Sequence, residues 1–315
     1  MIAFVFPGQG SQRPGMGQAL VDHFPAAREV FDTVAEATQV DTFALCFQLD
    51  DDTLRQTENA QLALFTAGAA AAAALKSAAP TLQVAAYAGH SVGEYTALAA
   101  AGAISIADGA RLVRRRGELM ANSGHLRPGT MAAVLGLAAE TLAEVCAAVD
   151  PELGVAVIAN DNCPGQLVIS GDVAAVAAAG AAASAAGAKR VLPLNVSGAF
   201  HSPLMETPAL AMGEALRAVT WHAPTAPVVA NVTATAVTEA APWASLLEQQ
   251  LRAPVRWTES VGTLRGMGIH YFVELGTGEV LSGLLKRIDR TAEALPVQDP
   301  ESLNAAVRRL QEVAA

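Results

Sequence analysis

The feature that most constrains this chain is a serine between two glycines, Gly89-His90-Ser91-Val92-Gly93, directly after the apolar run Val84 to Ala88. A strand that turns sharply into a helix with serine at the apex needs small neighbours, so that neither backbone nor side chains cover the hydroxyl. Glu94 to Ala101 are mostly good helix formers, and Gly102 suits the position after a helix end. The pattern therefore predicts a nucleophile elbow at Ser91. The alternative is a glycine-bounded serine in an ordinary strand-to-helix turn.

Apolar strand-like runs recur along the chain, with helical stretches between most of them. The runs are Ile2 to Phe6, Val84 to Ala88, Met131 to Leu135, Val155 to Ile158, Leu167 to Ile169, Val191 to Leu194, Val228 to Val232 and Tyr271 to Leu275. This alternation predicts an α/β protein with a mainly parallel sheet.

The middle of the chain has its own order of elements. From about Gly129 to Asn195 the patterns give strand, helix, two strands, helix and strand. This βαββαβ order is that of a ferredoxin-like subdomain. We therefore expect residues 129–195 to form a ferredoxin-like small subdomain, inserted into a larger catalytic subdomain made of residues 1–128 and 196–315.

Composition argues against several classes of protein. Apolar residues make up 52% of the 315 residues and charged ones only 16%, and alanine fills the difference. The alanine-rich stretches Leu62 to Leu75 and Val173 to Ala188 are too short and too weakly hydrophobic to span a membrane, so we expect helices of a soluble protein. The first residues lack the basic segment of an export signal. Cys46, Cys146 and Cys163 have neither disulfide nor zinc spacing, which favours a cytoplasmic protein without a metal.

The net charge of −10 makes binding to nucleic acid or to an anionic membrane surface unexpected. The densest basic feature is the group Arg111, Arg114, Arg115 and Arg116. Such positions spread over much of a helix circumference, so most of these side chains should face solvent, while one could point inward.

A glycine-rich loop, Pro7 to Gln12, follows the first strand. A dinucleotide-binding fingerprint would need glycine at Arg13, and a phosphate-binding P-loop would need lysine at Met16, so both nucleotide interpretations fail. The loop can still present backbone N–H groups. Acyl transfer needs two such donors where the carbonyl oxygen gains charge, and the N–H groups of Val92 and Gln9 are the candidates.

A serine nucleophile needs a base, commonly a histidine distant in sequence. Four of the six histidines lie in polar or irregular contexts typical of the surface: His23, His125, His222 and His270. His90 is adjacent to Ser91, where side chains seldom meet, so packing is its expected role. His201 follows a strand and a loop of small residues. The residues alone do not select His201 from this set.

Six short blocks are spread from end to end of the chain: Gly8 to Gln12, Gly89 to Tyr95, Arg116-Gly117, Ala199-Phe200-His201, Gln250-Leu251 with Pro254-Val255, and Glu274 to Gly276. Together, and in this order, they resemble the blocks of one known family, the malonyl-CoA:acyl carrier protein transacylases. The resemblance implies an α/β-hydrolase-like large subdomain with a ferredoxin-like insertion. It also implies transfer of malonyl from coenzyme A to the phosphopantetheine thiol of an acyl carrier protein, with no cofactor.

The resemblance also implies roles for individual residues. Ser91 would become the malonyl ester, His201 would act as general base and then acid, and Gln250 would orient the histidine. Gln9 and Val92 would supply the oxyanion-hole amides. Arg116 would bind the free carboxylate of malonate, a role that suits the paired donors of a guanidinium.

Three further residues match positions near the family's substrate. Phe200 matches the form of the motif that goes with malonyl rather than methylmalonyl substrates, although Gly198 stands where some relatives have histidine. Asn160 and Asn162 resemble asparagines that face the cleft, and their alternative role is that of turn residues.

The carrier is usually acidic, so an acidic enzyme needs a local basic patch to bind it. The candidates are Arg114, Arg115, Lys189, Arg190, Lys286 and Arg287. Other functions stay open: a malonyltransferase serving malonate decarboxylase or a polyketide synthase carrier, a serine esterase or thioesterase, or a carrier-binding module without activity.

Overall fold

The computed structural model describes residues 1–314, without the side chains of His125, Leu126 and Ala314. The strands are β1 (Ile2–Phe6), β2 (Ala86–Gly89), β3 (Gly129–Leu135), β4 (Ala156–Cys163), β5 (Gln166–Asp172), β6 (Arg190–Pro193), β7 (Val228–Val229), β8 (Ala236–Val237), β9 (Val255–Arg256), β10 (Tyr271–Leu275) and β11 (Glu293–Val297). The α-helices are α1 (Gln18–His23), α2 (Pro25–Thr38), α3 (Thr42–Phe47), α4 (Asp51–Leu54), α5 (Thr57–Ala78), α6 (Val92–Ala100), α7 (Ile106–Leu126), α8 (Ala139–Ala147), α9 (Val173–Ala185), α10 (Glu206–Arg217), α11 (Trp243–Gln250), α12 (Trp257–Gly266), α13 (Val280–Ile288) and α14 (Pro300–Ala314).

A six-stranded sheet has the order β11-β10-β1-β2-β7-β8. Its strands pair in parallel from β11 to β7, and β8 alone pairs antiparallel. The expected mainly parallel sheet is therefore confirmed. Because β1 lies at its centre and β2 beside it, the loops after these strands meet at one edge.

A five-stranded sheet has the order β6-β3-β5-β4-β9. The strands β3 to β6 alternate with α8 and α9 in the expected βαββαβ order, and they pair antiparallel. The fifth strand, β9, comes from outside residues 129–195 and pairs in parallel with β4. The chain therefore crosses between the two sheets once more than the sequence indicated.

Three strands, β8, β9 and β11, have no counterpart among the strand-like runs predicted from the sequence. The first two have only two residues each, too short to show an alternating pattern. The run Val228 to Val232 forms a strand over only two residues, because the chain turns back after β7, where the Ala230 N–H donates to Thr235 at 3.0 Å.

The alanine content is explained by α5, which packs against α2, α6 and α7. Alanine and glycine fill most of its middle turns, and nearly all of its residues from Ala60 to Leu75 are buried. A helix covered on all sides has no polar face, so its sequence lacks the stripe of an amphipathic surface helix. Within residues 1–314, no helix combines the length and apolar character needed to cross a membrane.

Glu274 stabilises the start of a helix, and the three cysteines are poor nucleophiles. Glu274 accepts hydrogen bonds from the backbone N–H groups of Leu281 at 2.9 Å and Ser282 at 2.7 Å, so it caps the start of α13. The cysteines Cys46, Cys146 and Cys163 are free and buried, and burial raises the pKa of each thiol. A thiol with a raised pKa is a poor nucleophile.

Candidate active site

Ser91 lies at a sharp turn between β2 and α6, with φ 54° and ψ −110°. A serine rarely adopts positive φ, and such strain persists only where the surroundings hold it. The predicted elbow is therefore present.

The glycines of the elbow are required by close backbone contacts. A Cβ on Gly89 would lie 2.0 Å from the Gly93 carbonyl, and one on Gly93 would lie 2.2 Å from the Phe6 oxygen. One on Gly8 would lie 2.6 Å from the His90 oxygen. Each distance is far below van der Waals contact, so these positions admit only glycine without a backbone shift.

Asn231, which lies in the loop between β7 and β8, holds the turn at Ser91 in place. Its Oδ1 accepts from the Ser91 N–H at 2.8 Å, and its Nδ2 donates to the Gly89 carbonyl at 2.7 Å. Asn231 is fully buried, so both bonds are shielded from water. The side chain therefore spans the strained residue and fixes both sides of it.

Ser91 and His201 form a hydrogen-bonded pair. The Ser91 Oγ lies 2.8 Å from the His201 Nε2, and the His201 Nδ1 lies 2.8 Å from the main-chain oxygen of Gln250. A carbonyl can only accept, so Nδ1 carries the proton and Nε2 is the acceptor. The serine hydroxyl therefore donates to the histidine, which is the arrangement a general base needs.

His201 is held as a neutral base. It is 4% exposed, and burial together with the nearby positive charge of Arg116 lowers its pKa to about 3. The Gln250 carbonyl opposes this shift only in part. The imidazole is therefore ready to accept a proton throughout the neutral pH range.

Arg116 is the arginine of its cluster that points inward, at 1% exposure. Its Nη1 donates to Gln61 Oε1 at 2.6 Å, and its Nη2 donates to both Ser91 Oγ and Gln250 Oε1 at 3.0 Å. Its Nε is buried, with no hydrogen-bond partner in the described part of the chain. Gly117 lets α7 pack closely on α5, because a Cβ there would lie 2.9 Å from Glu58 Cα.

Gln250 contacts the histidine through its main chain rather than its side chain. The side-chain Nε2 donates to the Ser91 carbonyl at 2.9 Å and also to Glu94, and its Oε1 accepts from Arg116. The expected orienting residue is thus in place, but the atom that meets His201 is the backbone oxygen. A substitution at Gln250 would reach His201 only indirectly.

Three residues that the sequence analysis assigned no role complete the network: Gln61, Glu94 and Asn231. Glu94 is 1% exposed and accepts from the Asn231 N–H at 3.0 Å and from the Gln250 amide. Burial raises the pKa of its carboxyl to about 7, although the bonds from Gln250 and Asn231 and the charge of Arg116 oppose the shift. Glu94 directly follows Gly93 in the elbow block, which was the one signal available in the sequence.

The two proposed oxyanion donors flank the serine. Val92 is the first residue of α6, where the backbone N–H has no acceptor within the helix. Gln9 lies in the turn after β1 and lines the same cleft. Both residues line the same cleft as Ser91, and their role as oxyanion donors stays a prediction.

The cleft over Ser91 has a volume of about 120 Å³. Pockets that enclose a whole drug-sized ligand measure about 300–1,000 Å³, so this one has room for a small acyl group. Its wall includes Phe200 and Asn160. Asn162 instead bonds His90 Nε2 at 2.8 Å. Both asparagines lie in β4, so the alternative role as turn residues is wrong.

The other arginines of the cluster and the expected surface histidines are not among the residues that line the cleft in the described part of the chain. Arg111 and Arg115 are exposed, and Arg114 pairs with Glu118 at 3.0 Å. The surface histidines are exposed as expected: His23, His222 and His270. The side chain of His125 is outside the described residues.

Comparison with known proteins agrees with this geometry. An acyl transferase domain model matches residues 3–305. Malonyl CoA-acyl carrier protein transacylase of Bacillus subtilis is 43% identical over 311 residues, covering 99% of this chain and 98% of that protein. The solved malonyl-CoA:acyl carrier protein transacylase of Xanthomonas oryzae is 44% identical, with a TM-score of 0.93 over 98% of each chain.

A third relative was solved with a partner. It is a malonyl-transacylase in complex with a type II polyketide synthase acyl-carrier protein, 38% identical, with a TM-score of 0.92 over 98% of this chain and 99% of the other. The fold and the serine–histidine–arginine site thus define an acyltransferase of the acyl transferase domain class. Within that class, the chain belongs to the malonyl-CoA:acyl carrier protein transacylase family.

Proposed function

We propose that this protein transfers malonyl from malonyl-CoA to the phosphopantetheine thiol of an acyl carrier protein, supplying fatty-acid elongation. The observation that carries the proposal is the position of Ser91 Oγ, 2.8 Å from a neutral base and 3.0 Å from a buried guanidinium. A serine with a base alone would suit any ester. The buried cation beside it suits an acyl group that ends in a carboxylate.

The reaction proceeds through an ester on Ser91. The Oγ attacks the thioester carbonyl carbon while its proton passes to His201 Nε2. The oxyanion accepts from the N–H groups of Val92 and Gln9. Collapse breaks the carbon–sulfur bond, and coenzyme A leaves with the proton from His201. The carrier thiol then gives its proton to His201, attacks the ester carbonyl and restores the serine. No cofactor takes part in this sequence.

Phe200 limits the substrate at the α-carbon. Its ring is 5% exposed and forms part of the cleft wall. An added methyl group is worth about 1–3 kcal/mol, so we expect malonyl-CoA to react about 10–200-fold faster than methylmalonyl-CoA in kcat/KM. Equal values for the two substrates would show that Phe200 does not set this preference.

The test is the intact mass of the protein after brief mixing with malonyl-CoA. We expect a malonyl adduct that is absent in Ser91→Ala, and acetyl labelling from acetyl-CoA that rises in Arg116→Ala. Free malonate without an adduct would point to a thioesterase or esterase. No reaction at all would point to a carrier-binding module.

The carrier has three candidates: a fatty-acid carrier, a polyketide synthase carrier and a malonate decarboxylase carrier. The similarity to a transacylase solved with a polyketide synthase carrier supports that class of partner beside the fatty-acid carrier. Steady-state transfer to each purified carrier distinguishes them, and the lower KM identifies the partner. A malonate decarboxylase carrier is the third arm of the same assay.

We further propose an α/β-hydrolase-like large subdomain, a ferredoxin-like small subdomain and a cytoplasmic location. The order β6-β3-β5-β4, all antiparallel, supports a ferredoxin-like small subdomain over residues 129–195, and the parallel sheet with its elbow supports an α/β-hydrolase-like large subdomain. The free, buried cysteines are consistent with a cytoplasmic location.

A further inference from the structure

Arg116, the residue expected to bind the carboxylate of the acyl group, donates a hydrogen bond to the serine nucleophile Ser91. Its Nη2 carries two N–H groups, and the acceptors within reach of this nitrogen are Ser91 Oγ and Gln250 Oε1, both at 3.0 Å. A guanidinium presents two edges at which a carboxylate can bind through two parallel N–H groups, and both edges include Nη2. A carboxylate that binds Arg116 in this way must therefore displace Ser91 or Gln250.

Gln250 is the acceptor that cannot leave. Its amide is held by donation from Nε2 to the Ser91 carbonyl at 2.9 Å and to the buried Glu94 carboxylate. Turning the amide over would place its oxygen against two acceptors, so the orientation is fixed. Ser91 Oγ has a second partner in His201 and faces the cleft, where a substrate arrives. Ser91 is therefore the contact that a carboxylate displaces.

Resting on the proposed function, we propose that Arg116 restrains Ser91 in the free enzyme, and that the carboxylate of the acyl group releases the serine by taking over Nη2. A hydrogen bond from a charged donor ties up a lone pair of Oγ and lowers its nucleophilicity. Once the carboxylate binds, Oγ retains only His201. An acetyl group carries no carboxylate, so it reaches a serine that is still restrained.

The same exchange acts on the base. The positive charge of Arg116 is the second cause, after burial, of the low pKa of His201. A carboxylate paired with Arg116 offsets that charge and makes His201 more basic. Both effects favour proton transfer from the serine, and both depend on the substrate carrying an anion.

The test is whether a small carboxylate raises or lowers the rate at which Ser91 is labelled. Release of the serine raises this rate, whereas simple competition for the cleft lowers it. Methanesulfonyl fluoride is small and neutral; Ser91 Oγ bonds to its sulfur, fluoride leaves, and the proton passes to His201. Formate supplies a carboxylate without the rest of the substrate. At constant ionic strength, we expect formate to accelerate sulfonylation of Ser91 about tenfold or more in a saturable manner, measured by intact mass. An unchanged or lower rate would overturn the proposal.

Three controls assign the effect to Arg116. Formamide, which is neutral, should not accelerate the labelling. Arg115→Ala removes the exposed neighbour on α7 and should respond to formate as the wild type does. Arg116→Ala should lose the response. A second assay uses acetyl-CoA instead of the sulfonyl fluoride, and formate should accelerate acetylation of Ser91 as well.

The outcome is distinguishable from failure of the proposed function. If Ser91 forms a malonyl adduct but formate slows its sulfonylation, the proposed transferase function stands and only the proposed restraint by Arg116 is refuted. Absence of the malonyl adduct would remove the transferase, whatever formate does.

Discussion

At the scale of single residues, the site is governed by what burial does to charge. His201 is a neutral base because burial and Arg116 lower its pKa to about 3. A histidine in water has a pKa near 6.5 and would be largely protonated in mild acid. The buried site therefore keeps the base functional under conditions in which an exposed histidine would be blocked.

This predicts the titration of His201. Its imidazole should show no protonation from pH 8 down to about pH 5 by NMR of the free enzyme. Because the unfolded chain protonates near pH 6.5 and the folded site does not, this group should cost stability as the pH falls below 6.5. A midpoint near 6.5 for His201 would contradict the prediction.

Glu94 gives the opposite pH dependence. Burial raises the pKa of its carboxyl from 4.5 to about 7, so the folded protein binds a proton that the unfolded chain releases. The stability that this group contributes is present below pH 4.5 and is lost as the pH rises to about 7. At about 1.36 kcal/mol per pKa unit, the free energy of unfolding should fall by on the order of 3 kcal/mol.

Glu94→Gln tests this assignment. In urea unfolding, the free energy of unfolding of the variant should not show this fall between pH 4.5 and 7. It should also be less stable at low pH by about 1–3 kcal/mol, because a glutamine places an N–H against one of two donors, the Asn231 N–H or the Gln250 amide. Parallel pH profiles of the two proteins would show that Glu94 does not titrate there.

At the scale of elements, the position of Ser91 follows from how α6 sits against the sheet. The helix starts so close to β1 that Gly93 touches the Phe6 carbonyl, and β2 ends against the same helix at Gly89. These contacts leave Ser91 at the apex, with Val92 at the helix N-terminus facing the cleft. The glycines therefore act by bringing two backbones together.

Gly93→Ala should consequently be severely destabilising, because its Cβ would lie 2.2 Å from the Phe6 oxygen. Gly283→Ala in α13 is the matched control, since no atom lies within 4 Å of the added Cβ. We expect Gly93→Ala to lose about 3 kcal/mol or more, and Gly283→Ala to gain about 0.4–1 kcal/mol. Equal free energies of unfolding in the two variants would refute this account of the elbow.

At the scale of the whole molecule, β9 connects the catalytic network to the five-stranded sheet. It follows α11, whose last residue is Gln250, by only a few positions, and it pairs with β4, which carries Asn160. The base, the serine and the cleft wall thus come from segments far apart in sequence that meet only where the sheets meet.

Several basic side chains of this acidic molecule lie near one hairpin. Lys189 and Arg190 are exposed at the start of β6, and Arg287 bonds Gln166 at 2.6 Å and Pro164 at 3.2 Å in the β4–β5 hairpin. The Lys189 N–H donates to Leu135, and the adjacent Gly136 donates to Gly165 in that hairpin. These cations therefore surround one hairpin on a protein of net charge −10.

We expect the double substitution Lys189→Glu and Arg190→Glu to raise the KM for an acidic carrier severalfold, with the difference shrinking at high salt. Arg308→Glu on α14 changes an exposed cation elsewhere and should leave this KM unchanged. If the KM for neither the carrier nor malonyl-CoA changes in the double variant, this basic surface is not the docking site.

The sequence by itself determined the local features. The glycine-bounded serine after an apolar strand predicted the elbow, the alternation of elements predicted the parallel sheet and the βαββαβ unit, and the resemblance of the blocks indicated Ser91, His201 and Arg116. These features depend on local backbone sterics and on residue types at short spacing, which are visible along the chain. The two-residue strands β8 and β9 carry no such signal.

Only the tertiary structure decided how those residues work together. It placed the Gln250 backbone oxygen, rather than its side chain, on His201, and it brought Glu94, Asn231 and Gln61 into the network. It also showed that Arg116 bonds the serine itself. These hydrogen bonds join residues 25 to 137 positions apart, so they depend on how sheets and helices pack. Desolvation depends on everything around a group, and neither effect has a signature in the local sequence.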